Sequence, residues 1–316
     1  MKAWVRQLVV KLTSSTLGSQ IVFGDASSKG QDDLDISITG SKYLSSMKDS
    51  FTITISNLTY SELMQLILGR YYTIEILAGY KSSGVQSIFN GSVIYMSYNK
   101  KDVTTHSVII LAGSKLVAKY GQSRMNLSLN SGINMYDAIK FMCKRAGVVN
   151  ANIDTSLQNR VLRETISNQT TIQNFLETFT SSNNFVVSTD ASCTSNVSII
   201  NPYKTNNRII DISNDTFVLI DGYPTINSDG MSMTILPTYN LMPCDVIVID
   251  NSLLDLSTSE PTASSYNAAN YIDSEGKYLI TQLDYTLQNR GESFTVKITA
   301  KSRSLYSKIS GVEGYR

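Results

Sequence analysis

The sequence predicts a mainly β protein with an α+β insertion near the middle of the chain. Most apolar residues alternate with polar ones over short runs, which is typical of strands with one buried face. Charged residues make up only 17 % of the 316 residues, whereas Ser, Thr, Asn and Tyr are abundant. That balance favours half-buried strands and polar turns over long solvated helices. Helical spacing is confined to one segment near residue 60 and two between residues 134 and 180.

The N-terminal region contains six runs with the alternation of a strand. They lie at residues 5–12, 34–39, 51–56, 72–77, 89–98 and 107–112. One amphipathic segment with helical spacing, residues 60–68, interrupts them. Several short strands in one region predict a barrel or a sandwich.

The middle region changes to a helical period. A first helix is predicted by apolar residues at helical spacing and a terminal glycine: Met135, Ile139, Met142, Ala146 and Gly147. A second is predicted by a capping box from Thr170 to Gln173 that leads into the apolar residues Ile172, Phe175, Leu176 and Phe179. Short strands at 185–189 and 197–200 complete a small α+β module.

The last region returns to strands. They are predicted at 217–220, 231–236 and 245–250, followed by a hairpin over 276–302 whose two alternating runs flank a turn at 289–291. Segment 257–270, rich in Ser, Thr, Ala and Asn, reads as a long exposed loop and as an insertion more than an assembly contact. The predicted domains are residues 1–117, 118–206 and 207–316.

The first and last regions share a strand pattern. Residues 50–57 match 230–237, residues 71–77 match 244–250, and the closing strand at 107–114 matches 295–302. The same-face pairs are Ile53 with Met233, Ile55 with Ile235, Ile74 with Val246, Ile76 with Val248, Val108 with Val296, Ile110 with Ile298, Ala112 with Ala300, and Ser114 with Ser302. We predict a duplication, with two unrelated β modules of generic patterning as the alternative. Three copies of a duplicated chain would present six similar surfaces and adapt threefold to sixfold symmetry.

Several short motifs resemble one protein family. The strand that ends at Asn57-Leu58-Thr59, the strand that runs into Ala78-Gly79-Tyr80, and Phe89-Asn90-Gly91 at the start of the next are similar to the N-terminal region of baseplate hub proteins from contractile-tailed bacteriophages. Residues 222–250 and 276–285 look like the second half of the same family, which includes the late control protein D group. The chain departs from the family at Pro243-Cys244, where Pro-Gly is frequent.

The resemblance implies two tail-tube-like β-barrels plus a small α+β module, assembled as a homotrimer. It implies a baseplate ring in the virion tail, built in the host cytoplasm, that joins the tail tube protein to the central spike protein. Tape-measure protein and other baseplate proteins are further implied partners, and DNA passes through the channel only in transit. No spike is fused to this sequence, so a separate spike polypeptide is expected.

Composition argues against several other classes. The formal net charge is +1, with both signs interspersed, which disfavours a dedicated nucleic-acid binder or a polybasic membrane-surface protein. Cys143, Cys193 and Cys244 are too far apart for a zinc site or a disulfide framework and favour a reducing compartment. We expect no signal peptide, because Arg6 interrupts the first apolar run, and no membrane span.

No residue pattern predicts catalysis, a cofactor or a metal. His106 lies in a predicted turn or strand start and is expected to be a solvated loop histidine, not a catalytic base. The acidic cluster Asp32, Asp33 and Asp35 is expected to be an exposed strand entrance, because it lacks the glycine and glutamate of a calcium loop. Glu164 and Glu177 are expected on solvated faces. The sequence contains no phosphate-binding loop, dinucleotide fingerprint, hydrolase elbow or zinc-protease motif.

The predicted function is therefore a non-enzymatic tail hub. Tyrosines of the predicted strands are expected mostly as core or subunit contacts: Tyr71, Tyr72, Tyr95, Tyr98, Tyr278 and Tyr285. If these tyrosines and segment 257–270 instead contacted a host glycan, the protein would be a carbohydrate-binding or receptor-binding tail-tip protein. A tail-associated cell-wall hydrolase is the third alternative, disfavoured by the missing catalytic motifs.

Overall fold

The computed structural model describes most of the chain. The described ranges are 5–14, 18–24, 34–100, 106–114, 124–145, 148, 150–181, 185–188, 196–202, 207–212, 222–227, 230–238, 240–255 and 272–303. The predicted strand at 217–220, the loop at 257–270, Asp32, Asp33 and Cys193 lie outside them.

The described residues of the first β unit form seven strands and one α-helix. They are β1 (Arg6–Ser14), β2 (Gln20–Phe23), β3 (Asp35–Tyr43), β4 (Ser50–Leu58), α1 (Tyr60–Gly69), β5 (Tyr71–Tyr80), β6 (Gly84–Lys100) and β7 (His106–Gly113). The strands lie in the order β3-β4-β7-β6-β5-β1-β2, and every ladder is antiparallel. The six predicted strands and the predicted helix are confirmed, whereas β2 was not predicted. Helix α1 begins with a capping box, since the Thr59 side chain and Glu62 satisfy each other's backbone N–H groups.

The α+β module has its own elements. They are β8 (Arg124–Leu129), α2 (Met135–Arg145), β9 (Asn150–Ile153), β10 (Ile166–Thr171), α3 (Ile172–Ser181), β11 (Val186–Ser188) and β12 (Asn196–Ile200). Strands β8 and β10 form one antiparallel pair, and β11, β12 and β9 form a second small sheet. The predicted capping box is one residue out of place, because Thr171, not Thr170, accepts the hydrogen bond from the Asn174 N–H, at 3.2 Å.

The described residues of the second β unit form six strands. They are β13 (Ile209–Asp211), β14 (Thr225–Asn227), β15 (Gly230–Ile235), β16 (Val246–Val248), β17 (Lys277–Gln288) and β18 (Phe294–Ser302). The two β units therefore enclose an α+β insertion, and the predicted fold class is confirmed. The domain boundaries after residues 117 and 206 stay predictions.

The buried apolar side chains of the described residues form two hydrophobic cores. One belongs to the α+β module and runs from Leu129 to Ile199. The other is shared by both β units and includes Ile53, Phe51 and Tyr285. The Phe51 ring lies 4.3 Å from that of Phe89 and 5.7 Å from that of Tyr285, centroid to centroid, so an aromatic contact crosses from one β unit to the other.

The two β units repeat the same four-stranded arrangement. The order β4-β7-β6-β5 in the first unit corresponds to β15-β18-β17-β16 in the second, and all six ladders are antiparallel. The hairpin ladder of each unit has a bulge at the same place, after Val93 opposite Ala112 and after Ile280 opposite Ala300. Strands β3 and β14 also correspond, as each pairs with the first strand of its set.

One predicted match is wrong by a single residue. Ile74 pairs with Gly91 and Ile247 pairs with Tyr278, and each partner lies two residues before its bulge. Ile74 therefore corresponds to Ile247, not to Val246, and the next inward pair is Ile76 with Ile249, not with Val248. The error arose because Val246 and Ile247 are both fully buried, so the strand lacks the alternation that fixes its register.

Candidate assembly surfaces

The joint between the two β units is a ladder of backbone hydrogen bonds. The second half of β17 pairs with β3, from Gln282 opposite Tyr43 to Gln288 opposite Ser37. The Ser41 hydroxyl donates to Asp284 Oδ1 at 2.6 Å on the same ladder. The strands of both units consequently form one continuous sheet.

The tip of the β17–β18 hairpin is clamped onto the first unit. Asn289 Nδ2 donates to the Leu34 carbonyl at 2.9 Å, its Oδ1 accepts from the Ile36 N–H at 2.8 Å, and its own N–H donates to the Ile36 carbonyl at 3.2 Å. Arg6 donates to the carbonyls of Gly291 and Glu292 at 2.5 and 3.0 Å. These bonds hold the two units at one fixed angle.

A buried polar cluster lies beside this joint. Lys42 and Asp49 are each 8 % exposed, and the Tyr43 N–H donates to Asp49 Oδ1 at 2.8 Å. Burial lowers the pKa of Lys42, while burial raises the pKa of Asp49 to about 7. Across the joint, Arg208 Nε donates to Asp245 Oδ1 at 3.1 Å, and that hydrogen bond raises the pKa of Arg208.

The turn between β3 and β4 also contacts the α+β module. Its 3-10 segment, Ser46–Lys48, lies against β11, where the Ser46 hydroxyl donates to the Val187 carbonyl at 3.3 Å. The same turn carries Asp49 of the buried cluster. All three parts of the chain therefore meet at this turn, which makes it a structural joint.

The hairpins of the two β units expose different chemistry. On the outer face of the first hairpin, Ile94 is 52 % exposed, Tyr95 62 %, and Ile109 and Leu111 37 % each. Their register counterparts in the second unit are Thr281, Gln282, Lys297 and Thr299. The apolar hairpin face of the first unit is thus a candidate contact surface for another protein chain.

The tyrosines divide between the core and the surface. Tyr278 and Tyr285 are buried, and Tyr71 packs partly buried against the core. Tyr72, Tyr95 and Tyr98 are exposed, as the alternative of a binding surface requires. Burial raises the pKa of Tyr278, Tyr285 and Tyr98, with the largest shift at Tyr285.

The structure does not bring the titratable residues considered above into one site. His106 begins β7, in agreement with the predicted turn or strand start. It is half-buried beside the Tyr60 ring, at 6.1 Å between centroids, and is therefore less solvated than expected. Asp35 is the exposed first residue of β3, as predicted for a strand entrance. Glu164 is exposed, and Glu177 is half-buried on α3.

The two described cysteines are free thiols with raised pKa values. Cys143 is buried in the α+β module and Cys244 half-buried before β16, and both are free. Burial raises the pKa of Cys143 to about 11 and that of Cys244 to about 12, so both carry their protons at neutral pH. In the described part of the chain, no three His, Cys, Asp or Glu side chains are grouped to hold a metal ion, and no helix has the length and apolar character needed to span a membrane.

No family model matches this sequence, and no curated protein matches it either. Solved structures do match in fold. A 43 kDa tail protein of prophage MuSo2 from Shewanella oneidensis shares 8 % identity, with a TM-score of 0.57, over 95 % of this chain and 98 % of that one. A tail protein from Neisseria meningitidis MC58 shares 8 % identity, with a TM-score of 0.58, over 96 % of this chain and 98 % of that one.

A third match comes from a secretion machine. The E. coli c3393 protein, described as a component of the type VI secretion system with structural similarity to the T4 tail proteins gp27 and gp5, shares 9 % identity and a TM-score of 0.53. The match covers 84 % of this chain and 73 % of that one. At this identity the likeness is one of fold, and at that level it confirms the resemblance to phage tail proteins predicted from the short motifs.

Proposed function

We propose that the chain is a structural hub protein of a phage tail. Three copies form a pseudo-sixfold ring that joins the tail tube to the central spike. The observation that carries this proposal is the internal repeat, in which two β units of one chain share strand order, ladder direction and the position of a bulge. A ring of three such chains presents six similar units, which matches a sixfold tube on one side and a threefold partner on the other.

The joint between the units supports an adaptor role. A symmetry adaptor needs its two units at a constant angle, since a flexible linker would leave six units unevenly spaced. Here the β3–β17 ladder, the Asn289 clamp and a shared core fix that angle within each chain. The likeness to solved tail proteins supports the same setting.

The proposed partners follow from the position of such a ring. They are a second and third copy of the chain, the tail tube protein above, a central spike protein below, and the tape-measure and other baseplate proteins nearby. DNA crosses the channel only in transit, and the formal net charge of +1 suits a conduit that does not retain phosphates. The ring belongs to the baseplate of the virion tail, is assembled in the host cytoplasm, and acts without catalysis.

The decisive experiment measures stoichiometry and symmetry together. Native mass spectrometry of the purified chain at micromolar concentration is expected to give a species of three times 34.9 kDa. Cryo-electron microscopy of that species is expected to show a threefold ring with six similar β densities around a channel. A chain that stays monomeric at these concentrations, or a ring without six similar densities, would overturn the proposal.

A further inference from the structure

The repeated units differ in how one strand edge is covered. In the second unit, β17 has β18 on one side and, from Gln282 to Gln288, β3 of the first unit on the other. In the first unit, β6 has β7 on one side, but its ladder with β5 on the other side stops at Ser92. Among the described residues, no strand lies along β6 from Tyr95 to Lys100 on the side away from β7. We name this stretch the β6 edge.

The β6 edge corresponds residue by residue to the covered part of β17. The shared bulge aligns Val93 with Ile280, and from there Met96 aligns with Leu283 and Tyr98 with Tyr285. Leu283 is fully buried, whereas Met96 is only partly buried. Tyr285, which lies opposite Gly40 of β3, is 4 % exposed, whereas Tyr98 is 40 % exposed. In the second unit this stretch of strand therefore has a neighbouring strand on both sides, whereas in the first unit no described strand lies on one of the two sides.

An open edge next to exposed apolar side chains is a template for strand addition. Its unpaired N–H and C=O groups can hydrogen-bond to an incoming strand, and the side chains beside it can be buried by that strand. Ile94 and Tyr95 add exposed apolar surface on the outer face of the same strand. The occupant of the equivalent position inside the chain is a strand of the other β unit, which identifies the kind of partner.

We propose that the β6 edge binds strand β14 of a neighbouring copy of this chain. The proposal rests on the ring proposed above, in which the two kinds of unit alternate. The contact between chains then repeats the contact within a chain. Strand β14 is the counterpart of β3, because Ile226 lies opposite Met231 as Gly40 lies opposite Phe51. The interface between copies thus extends the sheet from one chain to the next.

The internal ladder also predicts the register. Within the chain, Ser41 lies opposite Asp284 and Gly40 opposite Tyr285. The equivalent pairs between chains are Asn227 opposite Ser97 and Ile226 opposite Tyr98. The ladder is short, because Asp255 already bridges β14 at Thr225. Specific contact consequently depends on the covering of Tyr98 and Tyr95 as well as on backbone pairing.

Cysteine cross-linking tests this register in the assembled protein. Residues directly opposite in an antiparallel pair have Cα atoms about 4.5 to 5.5 Å apart, close enough for a disulfide. The double variant Ser97→Cys, Asn227→Cys is expected to give covalent chains of two and three copies on a non-reducing gel after oxidation. The controls are the two single variants, which account for the native cysteines, and the shifted pair Ser97→Cys, Thr225→Cys.

The result separates this inference from the proposed function. A wild-type trimer whose double variant cross-links no better than the controls would overturn the β6–β14 contact and leave the hub proposal standing. Absence of a wild-type trimer would overturn the hub proposal, and the contact with it.

A charge at Tyr98 gives an independent test. Tyr98→Glu is expected to raise the concentration of half-assembly by about tenfold or more, because the carboxylate would be buried between copies without a partner. The matched control is Phe141→Glu, which replaces a 51 % exposed aromatic residue on α2 and is expected to leave assembly unchanged. Urea unfolding below the assembly concentration checks that both chains fold. Equal assembly of the two variants would overturn the inference.

Discussion

A single turn residue offers a sharp test of the backbone geometry before β16. Cys244 has a φ of +78°, in the left-handed region, and its N–H donates to the Ile280 carbonyl at 3.0 Å. The structure therefore shows that cysteine adopts here the backbone conformation that glycine adopts without strain.

The size of the backbone strain at Cys244 follows from comparing the unfolding free energies of two variants that both lack the thiol. Left-handed backbone costs an L residue about 1 to 2 kcal/mol, and glycine loses about 0.5 to 1 kcal/mol more conformational entropy on folding than alanine. Cys244→Gly should therefore exceed Cys244→Ala in unfolding free energy by about 0.5 to 1 kcal/mol, the difference between those two terms. The lost packing of the sulfur cancels, because neither variant retains it.

Urea unfolding followed by circular dichroism measures this difference, provided that the slopes of the two transitions agree. The matched control is Gln65, an exposed residue inside α1. There the order should reverse, with alanine more stable than glycine by about 0.5 to 1 kcal/mol. If Cys244→Ala proved as stable as Cys244→Gly, the inference of strain at this turn would be refuted.

Three further predictions concern the joint between the β units. Asn289→Ala should lower the unfolding free energy by about 2 to 3 kcal/mol in urea, because two hydrogen bonds to backbone groups are lost, whereas the exposed Asn130→Ala should change it by less than about 0.5 kcal/mol. The unfolding free energy should decrease between about pH 4 and 7 in the wild-type protein, and Asp49→Asn should make this decrease smaller. The pKa of Asp49 is raised to about 7, so the folded chain binds more protons in that window than the unfolded chain, and stability falls as the pH rises; equal slopes in urea titrations of both proteins would contradict this. Gly40→Ala should cost about 1 to 3 kcal/mol or more, because its Cβ would lie 2.3 Å from the Phe51 ring, and an unchanged melting temperature would argue against this close contact.

The residues that face the core could be predicted wherever one face of a strand is buried and the other is exposed to solvent. Ile53 and Met233 were matched correctly because polar residues flank both, which fixes the face of each strand. Strand β16 gave no such signal, since neighbouring residues on both faces are buried. Periodicity defines a strand, but it defines a register only when the two faces differ.

The joint itself could not be predicted from local pattern. Ser41 and Asp284 lie 243 positions apart in the sequence, and nothing in either strand marks the other as its partner. Lys42 stands in a strand whose alternation assigns no role to a buried lysine. The carboxylates that partly offset the effect of burial on its pKa are Asp49 of the same unit and Asp245 across the joint. The Asn289 clamp could not be predicted from the sequence either, because asparagine is common in hairpin turns whatever contacts it makes.

Tyr98 and Tyr285 show why candidate contacts need tertiary structure. Both tyrosines occupy the same position of the repeated hairpin and alternate with polar neighbours in the same way. Tyr285 is buried where β3 pairs with its strand and the Phe51 ring lies 5.7 Å away, whereas Tyr98 is 40 % exposed next to an edge that no described strand pairs with. Sequence periodicity treats them alike, and only the pairing of β3 with β17 distinguishes a core tyrosine from a contact tyrosine.

The difference between the paired β17 edge and the β6 edge leaves the proposed ring one way to assemble. The β17 edge is paired within the chain and is therefore not available to a neighbouring copy. In the proposed ring each copy then offers one open edge, at β6, and one matching strand, β14. Such a contact joins two different surfaces of neighbouring copies. Copies joined in this way close into a ring only if the rotation from one copy to the next is constant. That angle is set by the hydrogen-bond spacing of the β3–β17 ladder and by the Asn289 clamp, so weakening the clamp should disturb ring closure even where both units remain folded.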